Sequence, residues 1–234
     1  QMKSQWMKSK KESIRLEEAG LTGNVLDSAF SPFILEILAK QGKASSRLCN
    51  NDPSTIYSGI YLKCLFPKSK FIFMVRDGRA NVHSIITGNE TITGFDPKSY
   101  RKSLRKWNTE ISTMNKQCED LGSDIASKFI TNSWSFNPEK WLSKIFKFLE
   151  LDWANDVMHQ KTQFNKLHDI SLQKVEHSSD QVVEPVNLDN LSKWVGKMPE
   201  DVIEDMANIL PCLRKWAMTP TGTLQSMESL THKW

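Results

Sequence analysis

Ser69-Lys70-Phe71-Ile72-Phe73-Met74-Val75-Arg76-Asp77-Gly78-Arg79-Ala80-Asn81-Val82-His83-Ser84 changes character halfway along. Phe71 to Val75 is an unbroken apolar run of strand length, the pattern of a strand buried inside a parallel sheet. At Arg76 the run stops, and the residues after it read as a helix. The stretch therefore predicts a buried strand that delivers an arginine to a strand-to-helix turn, with the hydroxyl of Ser84 further along the helix. Helix N-terminal amides and a cation converge at such a turn, which suits a phosphate. The remainder of the chain is read around this anion-binding α/β core.

The 234 residues are 39% hydrophobic and 25% charged, enough for one domain with a sizeable core. A net charge of +4 favours anionic ligands. It is too small, and its Lys and Arg too dispersed, to imply a nucleic-acid partner. The apolar runs fall short of the roughly 18–20 residues of a membrane span. Cys49, Cys64, Cys118 and Cys212 lack metal-site spacing, so no metal is expected; alone they leave the redox compartment open.

Helices are predicted over Lys11 to Ala19 with Gly20 as C-cap, and after Thr22 with Val25, Leu26, Ala29, Phe30, Phe33, Ile34, Ile37 and Leu38 on one face. Pro32 is expected to kink the second, and Gly42 to close it. Arg47-Leu48-Cys49 reads as a short buried strand, and Ser54 to Leu65 as helix. Asp96-Pro97 predicts an N-cap with proline at the first position of a long helix to about Glu119, with Leu104, Trp107, Ile111 and Met114 inward. Lys128 to Ile130 is a third strand. Asn137-Pro138-Glu139 starts a helix with Trp141, Leu142, Ile145, Phe146 and Leu149 inward, and a shorter one comes near Trp153. Gln163 to Glu184 is polar and loop-like. Asn187 to Gly196 and Pro199 to Trp216 are predicted as two closing helices. Strands alternating with helices give an α/β fold with a parallel sheet.

Four collinear segments then resemble the protein-tyrosine sulfotransferases. They are Arg15-Leu-Glu-Glu-Ala-Gly20 with Val25-Leu-Asp-Ser28; Leu48-Cys-Asn-Asn-Asp-Pro53; Phe73-Met-Val-Arg-Asp-Gly-Arg-Ala80 on to Lys106-Trp-Asn108; and Ser171 to Val182 with Pro185-Val-Asn187 and Leu191-Ser-Lys-Trp-Val-Gly196. The resemblance implies a P-loop-like sulfotransferase fold, a parallel central sheet flanked by helices. It implies 3′-phosphoadenosine 5′-phosphosulfate as donor and tyrosine in acidic protein segments as acceptor. By motif position, Arg76 and Ser84 would hold the donor's 3′-phosphate, an arginine being suited to a bidentate, charge-assisted contact. Ser178 would act near the transferring sulfuryl group. Ser178, Ser179, Asp180, Gln181, Val182, Val183, Glu184, Pro185, Val186 and Asn187 would line the nucleotide groove, and Lys193 would close on it. Arg15 would lie near the acidic-peptide groove.

The resemblance also implies homodimers in the Golgi lumen. Gln1-Met2-Lys3-Ser4-Gln5-Trp6 reads as helix interior, so the expectation is an N-terminally truncated chain: a partial catalytic domain over residues 1–218 and a divergent, flexible tail over 219–234. The family's 5′-phosphosulfate loop, its glutamate base and any membrane anchor would then lie upstream. Asn51 stands where the family has a lysine for the transferring group, a loss that typically costs about 10²–10³ in rate. Gly88 replaces an arginine beside the 3′-phosphate, Thr131-Asn132 replaces a tyrosine-glutamate pair, and His177 an arginine. Cys49 and Cys118 match family disulfide cysteines, the partner of the second appearing as Ala126, so both are expected unpaired. Asn89-Glu-Thr and Asn190-Leu-Ser are glycosylation sequons. Two other readings remain at this point: a degenerate homologue that binds nucleotide or acidic peptide without turnover, and a sulfotransferase acting on glycans or small molecules.

Overall fold

The structure is a computed structural model that describes residues 10–21, 23–40, 45–88, 92–131, 137–154, 157 and 191–215. Residues 1–69 and 70–234 form two compact units.

In the first unit, helix α1 (Lys10–Glu18) gives way to Gly20 at φ +72°, the left-handed conformation that glycine adopts without strain. Helix α2 (Gly23–Lys40) keeps Pro32 inside it, so the proline does not end the helix. A 3₁₀ helix (Pro53–Ser58) is capped by the Asp52 side chain, which accepts from the Ser54 amide, and runs into α3 (Gly59–Leu65). The Tyr61 hydroxyl donates to Asp27 at 2.7 Å and ties α3 to α2. The apolar face expected on α2 is not buried. Val25, Phe33 and Ile37 are exposed, and Leu26, Phe30, Ile34 and Leu38 half-buried. Arg47-Leu48-Cys49, expected as a buried strand, is exposed and irregular. A strand needs a ladder partner for its amides and carbonyls, and these residues have none within a described sheet.

The second unit holds the core. Strand β1 (Phe71–Val75) pairs in parallel with β2 (Ala126–Ile130), Phe71 opposite Ala126 and Val75 opposite Ile130. Its burial alternates: Phe73 and Val75 point into the core while Ile72 and Met74 are exposed, so the strand read as buried is buried on one face. Helix α4 (Gly78–Thr87) comes directly after β1, and helix α5 (Tyr100–Leu121) packs beneath it. Their approach is close. A Cβ on Gly78 would sit 2.5 Å from the Trp107 ring, so only glycine fits there. Leu104, Trp107 and Ile111 are buried as expected, with Met114 packed at the margin.

The start of α5 differs from the expectation at Asp96-Pro97. Ser99 is the N-cap, accepting from the Lys102 amide, and the helix begins at Tyr100. Asp96 instead accepts from the Lys98 amide at 2.9 Å, and its backbone exchanges two bonds with the buried Ser103 hydroxyl. Those bonds hold a turn rather than a first helical turn. Helix α6 (Pro138–Leu149) begins as expected, capped by the Asn137 side chain, but its expected inward residues are only half-buried. Residues 151–154 carry no helix.

The predicted pair of closing helices is replaced by turns over residues 192–197 and three short helices, α7 (Glu200–Glu204), α8 (Met206–Ile209) and α9 (Cys212–Lys215). Pro211 explains one break: it lacks an amide hydrogen and forces Leu210 out of helical geometry, to φ −123° and ψ 64°. This segment nonetheless buries Leu191, Trp194, Met198, Val202, Met206, Ile209, Leu210 and Leu213. It is anchored on α5. Arg101 pairs with Asp201 at 3.0 Å and with Asp205, and the Asn108 side chain accepts from the Cys212 amide.

Candidate functional site

The sequence makes the β1–α4 junction rigid with one carboxylate. Asp77 is fully buried, caps α4 by accepting from the Arg79 amide at 2.8 Å, and binds the Arg79 side chain through Nε at 3.0 Å and Nη2 at 2.7 Å. Arg79 is 1% exposed, and the central carbon of its guanidinium lies over the Trp194 ring, 4.2 Å from the ring centre. Arg79 is thus an internal cation. The sequence reading placed the helix amides at the service of an anion. The structure shows the start of α4 already occupied by the protein's own carboxylate, which complements the helix dipole.

Arg76 is the neighbouring cation that is not buried away. It is half-buried at the carboxyl end of β1, directly before the capped turn. Burial lowers its pKa and the adjacent Asp77 opposes that shift; an arginine remains charged under either influence. Across the ladder, Thr131 stands at the carboxyl end of β2 and its hydroxyl donates to the Val75 carbonyl at 3.3 Å. Both therefore lie on the edge of a parallel sheet where α/β proteins bind ligands.

Ser84 lies about 9 Å along the axis from the start of α4, taking 1.5 Å per residue. It is exposed, on the stripe it shares with Thr87, opposite Val82 and Ile85. Its carbonyl accepts the Gly88 amide at 2.9 Å, where the helix ends. The structure thus carries Arg76 and Ser84 on one strand–helix unit. Next to Ser84, His83 bonds the Tyr100 hydroxyl at 2.7 Å and stacks on its ring. Burial, then Lys197, lowers the pKa of His83.

Lys193 is exposed in the turn beside Trp194. Ser178, Ser179, Asp180, Gln181, Val182, Val183, Glu184, Pro185, Val186 and Asn187 lie outside the described residues, as do His177, Asn89, Asn132 and Asn190. Asn51 is exposed in the first unit, just before the capping Asp52. All four cysteines are thiols, with Cys118 and Ala126 in the same core. Among the described residues no group of three or more His, Cys, Asp or Glu is placed to hold a metal. The residues that sequence reasoning left without a role are Asp77, Arg79 and Trp194. The spacing of Asp77 and Arg79 around Gly78 was a visible signal; their burial was not.

A profile of the sulfotransferase family matches residues 1–155. The chain belongs to that family, and the strand–helix unit and its parallel neighbour lie within the matched residues. Within it, the chain's place is among the protein-tyrosine sulfotransferases. It is 52% identical to the protein-tyrosine sulfotransferase of Drosophila melanogaster over 91% of this chain and 43% of that protein. It is 46% identical to protein-tyrosine sulfotransferase 2 of Gallus gallus and 48% to protein-tyrosine sulfotransferase 1 of Homo sapiens, each over 94% of this chain and 59% of the relative. The chain spans about half the length of these relatives.

Proposed function

We propose that this protein transfers a sulfuryl group from 3′-phosphoadenosine 5′-phosphosulfate to tyrosine hydroxyls in acidic protein segments. The observation that carries this reading is the identity of 46–52% over almost the whole chain to proteins named for that activity. The geometry supports the part assigned to this chain, the 3′-phosphate end of the donor site. Arg76 offers a half-buried guanidinium at the carboxyl edge of the sheet, and Ser84 an exposed hydroxyl on the helix after it. A phosphate held by that cation and hydroxyl fixes the donor without any change at the reacting sulfur, which is how remote binding energy orients a substrate.

The chemistry is displacement at sulfur. The phenolic oxygen bonds to the sulfur as the bond to the bridging phosphate oxygen breaks, and the phenolic proton passes to a base. In this reading Ser178 supplies a hydroxyl near the transferring group, Ser179 to Asn187 line the nucleotide, and Lys193 closes on it. A P-loop-like sheet, a homodimer and residence in the Golgi lumen belong to the same proposal, as does the division at residue 218 between catalytic domain and tail.

The test is calorimetric titration with adenosine 3′,5′-bisphosphate, followed by sulfate transfer to an acidic tyrosine peptide. Arg76→Ala is expected to weaken nucleotide binding about 10- to 150-fold, the worth of a hydrogen bond to a charged group. Folded, unmutated protein that does not bind the nucleotide overturns the proposal.

A further inference from the structure

Two observations at the first turn of α4 concern neither Arg76 nor Ser84. The Arg79 guanidinium bonds Asp77 through Nε and Nη2, and its central carbon lies over the Trp194 ring, 4.2 Å from the ring centre. Trp194 is itself fixed, 7% exposed and donating from Nε1 to the Leu191 carbonyl at 2.9 Å. The exposed Lys193 is its chain neighbour. Exposed Lys197, whose amide donates to the Trp194 carbonyl, lies on the other side. Lys197 is near enough to His83, one turn after Arg79 on α4, to act on its charge. The segment therefore runs alongside α4, with two lysines flanking one buried ring.

We infer that Arg79 is a positioning residue for the nucleotide site: its guanidinium is the platform on which Trp194 sets Lys193 beside the helix that carries Ser84. This rests on the reading of Arg76, Ser84 and Lys193 as nucleotide contacts. The inference is specific to arginine. A planar guanidinium presents a bidentate edge and a stacking face together, whereas a lysine ammonium keeps the charge and supplies neither. Asp77 makes the arrangement stiff, because the carboxylate that orients Arg79 also caps the helix directly after Arg76. The far end of the segment is held independently through Arg101 to Asp201 and Asp205. Loosening the platform should then release the lysine turn without detaching the segment.

The experiment is a double-mutant cycle read by calorimetry with adenosine 3′,5′-bisphosphate. Lys193→Ala is expected to weaken binding about 10-fold in the otherwise native protein. In an Arg79→Lys background the same change is expected to cost about 2-fold or less, because a displaced Lys193 has little left to lose. Arg76→Ala should cost the same factor in both backgrounds, which a general loss of structure would not allow. Trp194→Phe, keeping a ring over the guanidinium, should restore most of the Lys193 effect that Trp194→Leu removes; this pair serves equally if Arg79→Lys fails to fold. An unchanged Lys193→Ala factor in the Arg79→Lys and Trp194→Leu backgrounds, with Arg76→Ala still harmful, overturns this inference and leaves the proposed function standing. No effect of Lys193→Ala in the native protein, with Arg76→Ala still harmful, overturns this inference alone; a folded native protein that does not bind the nucleotide overturns both.

Discussion

Helix α2 and helix α5 were both legible from apolar residues at helical spacing, yet the structure uses them differently. On α2, Val25, Phe33 and Ile37 are 46%, 57% and 45% exposed; on α5, Leu104, Trp107 and Ile111 are 0%, 5% and 8% exposed. The contrast extends to the units that contain them. Among the described residues of the first, Gly59 alone is buried, while the second contains a continuous core. Helical hydrogen bonds are local and form wherever the sequence allows them. Burial requires a second surface, and α5 obtains one because residues 71–75 pair with residues 126–130 far along the chain. Apolar periodicity therefore indicates a helix face that can be buried, without saying that it is.

The comparison breaks hardest at Asp77. Removing its carboxylate in Asp77→Ala takes a buried countercharge from the buried Arg79 guanidinium and uncaps α4, at a cost of about 3–5 kcal/mol. The same truncation at Asp27, the half-buried acceptor of Tyr61 in the first unit, is expected to cost about 1 kcal/mol. Hydrogen exchange read peptide by peptide separates the units: β1 and α4 should lose protection in Asp77→Ala while α2 does not. Adding Arg79→Met should recover much of the loss, since it removes the buried charge that has lost its carboxylate. A double variant as unstable as the single one would show that the ion pair is not what ties the junction together.

A smaller effect tests burial directly. Leu104→Ala removes a side chain with no exposure and should cost about 2–5 kcal/mol, from lost transfer energy plus the cavity left behind. Phe33→Ala removes a larger side chain that is mostly in solvent, and should change stability by about 0.5 kcal/mol or less. Urea denaturation of the two variants checks the ranking; equal losses would mean that Phe33 is far better covered in solution than its exposure indicates.

The features legible in the sequence show the same division between local and distant causes. The Phe71–Val75 strand, the Asn137 cap and the end of α1 at Gly20 each rest on a signal within a few residues, and each is observed. The start of α5 was misplaced because Asp96-Pro97 has good capping chemistry. The carboxylate is instead taken by the Lys98 amide, while the Asp96 backbone is held by Ser103 from the helix itself. The closing helices were overextended because the apolar residues between Val202 and Leu213 keep helical spacing across a break at Leu210 and Pro211. At the site, Arg76 and Ser84 could be singled out from the strand-to-helix pattern. The role of Arg79 could not, because its burial depends on Trp194, more than a hundred residues away.

The smallest effect concerns the cysteines, which divide between the units as the apolar residues do. Cys49 and Cys64 are exposed in the first, whereas Cys118 is buried and Cys212 half-buried in the second. The thiolate is the reactive form, so both burial and pKa protect the second pair. Burial raises the Cys118 thiol, Lys128 opposing and Glu119 adding to the shift. Burial pushes Cys212 up to about 11, partly offset by its own backbone hydrogen bond and reinforced by Asp77. A thiol whose folded pKa exceeds its unfolded value contributes stability that is complete below the unfolded value of 9.0 and is lost as pH climbs toward 11. Alkylation at about pH 8, below both values for Cys212, should label Cys49 and Cys64 quickly and reach Cys118 and Cys212 only after denaturant is added. Mass spectrometry of the labelled peptides gives the order. Cys212 reacting as fast as Cys64 would mean that the packing of α9 against Asn108 opens readily, and that the core of the second unit ends short of that helix.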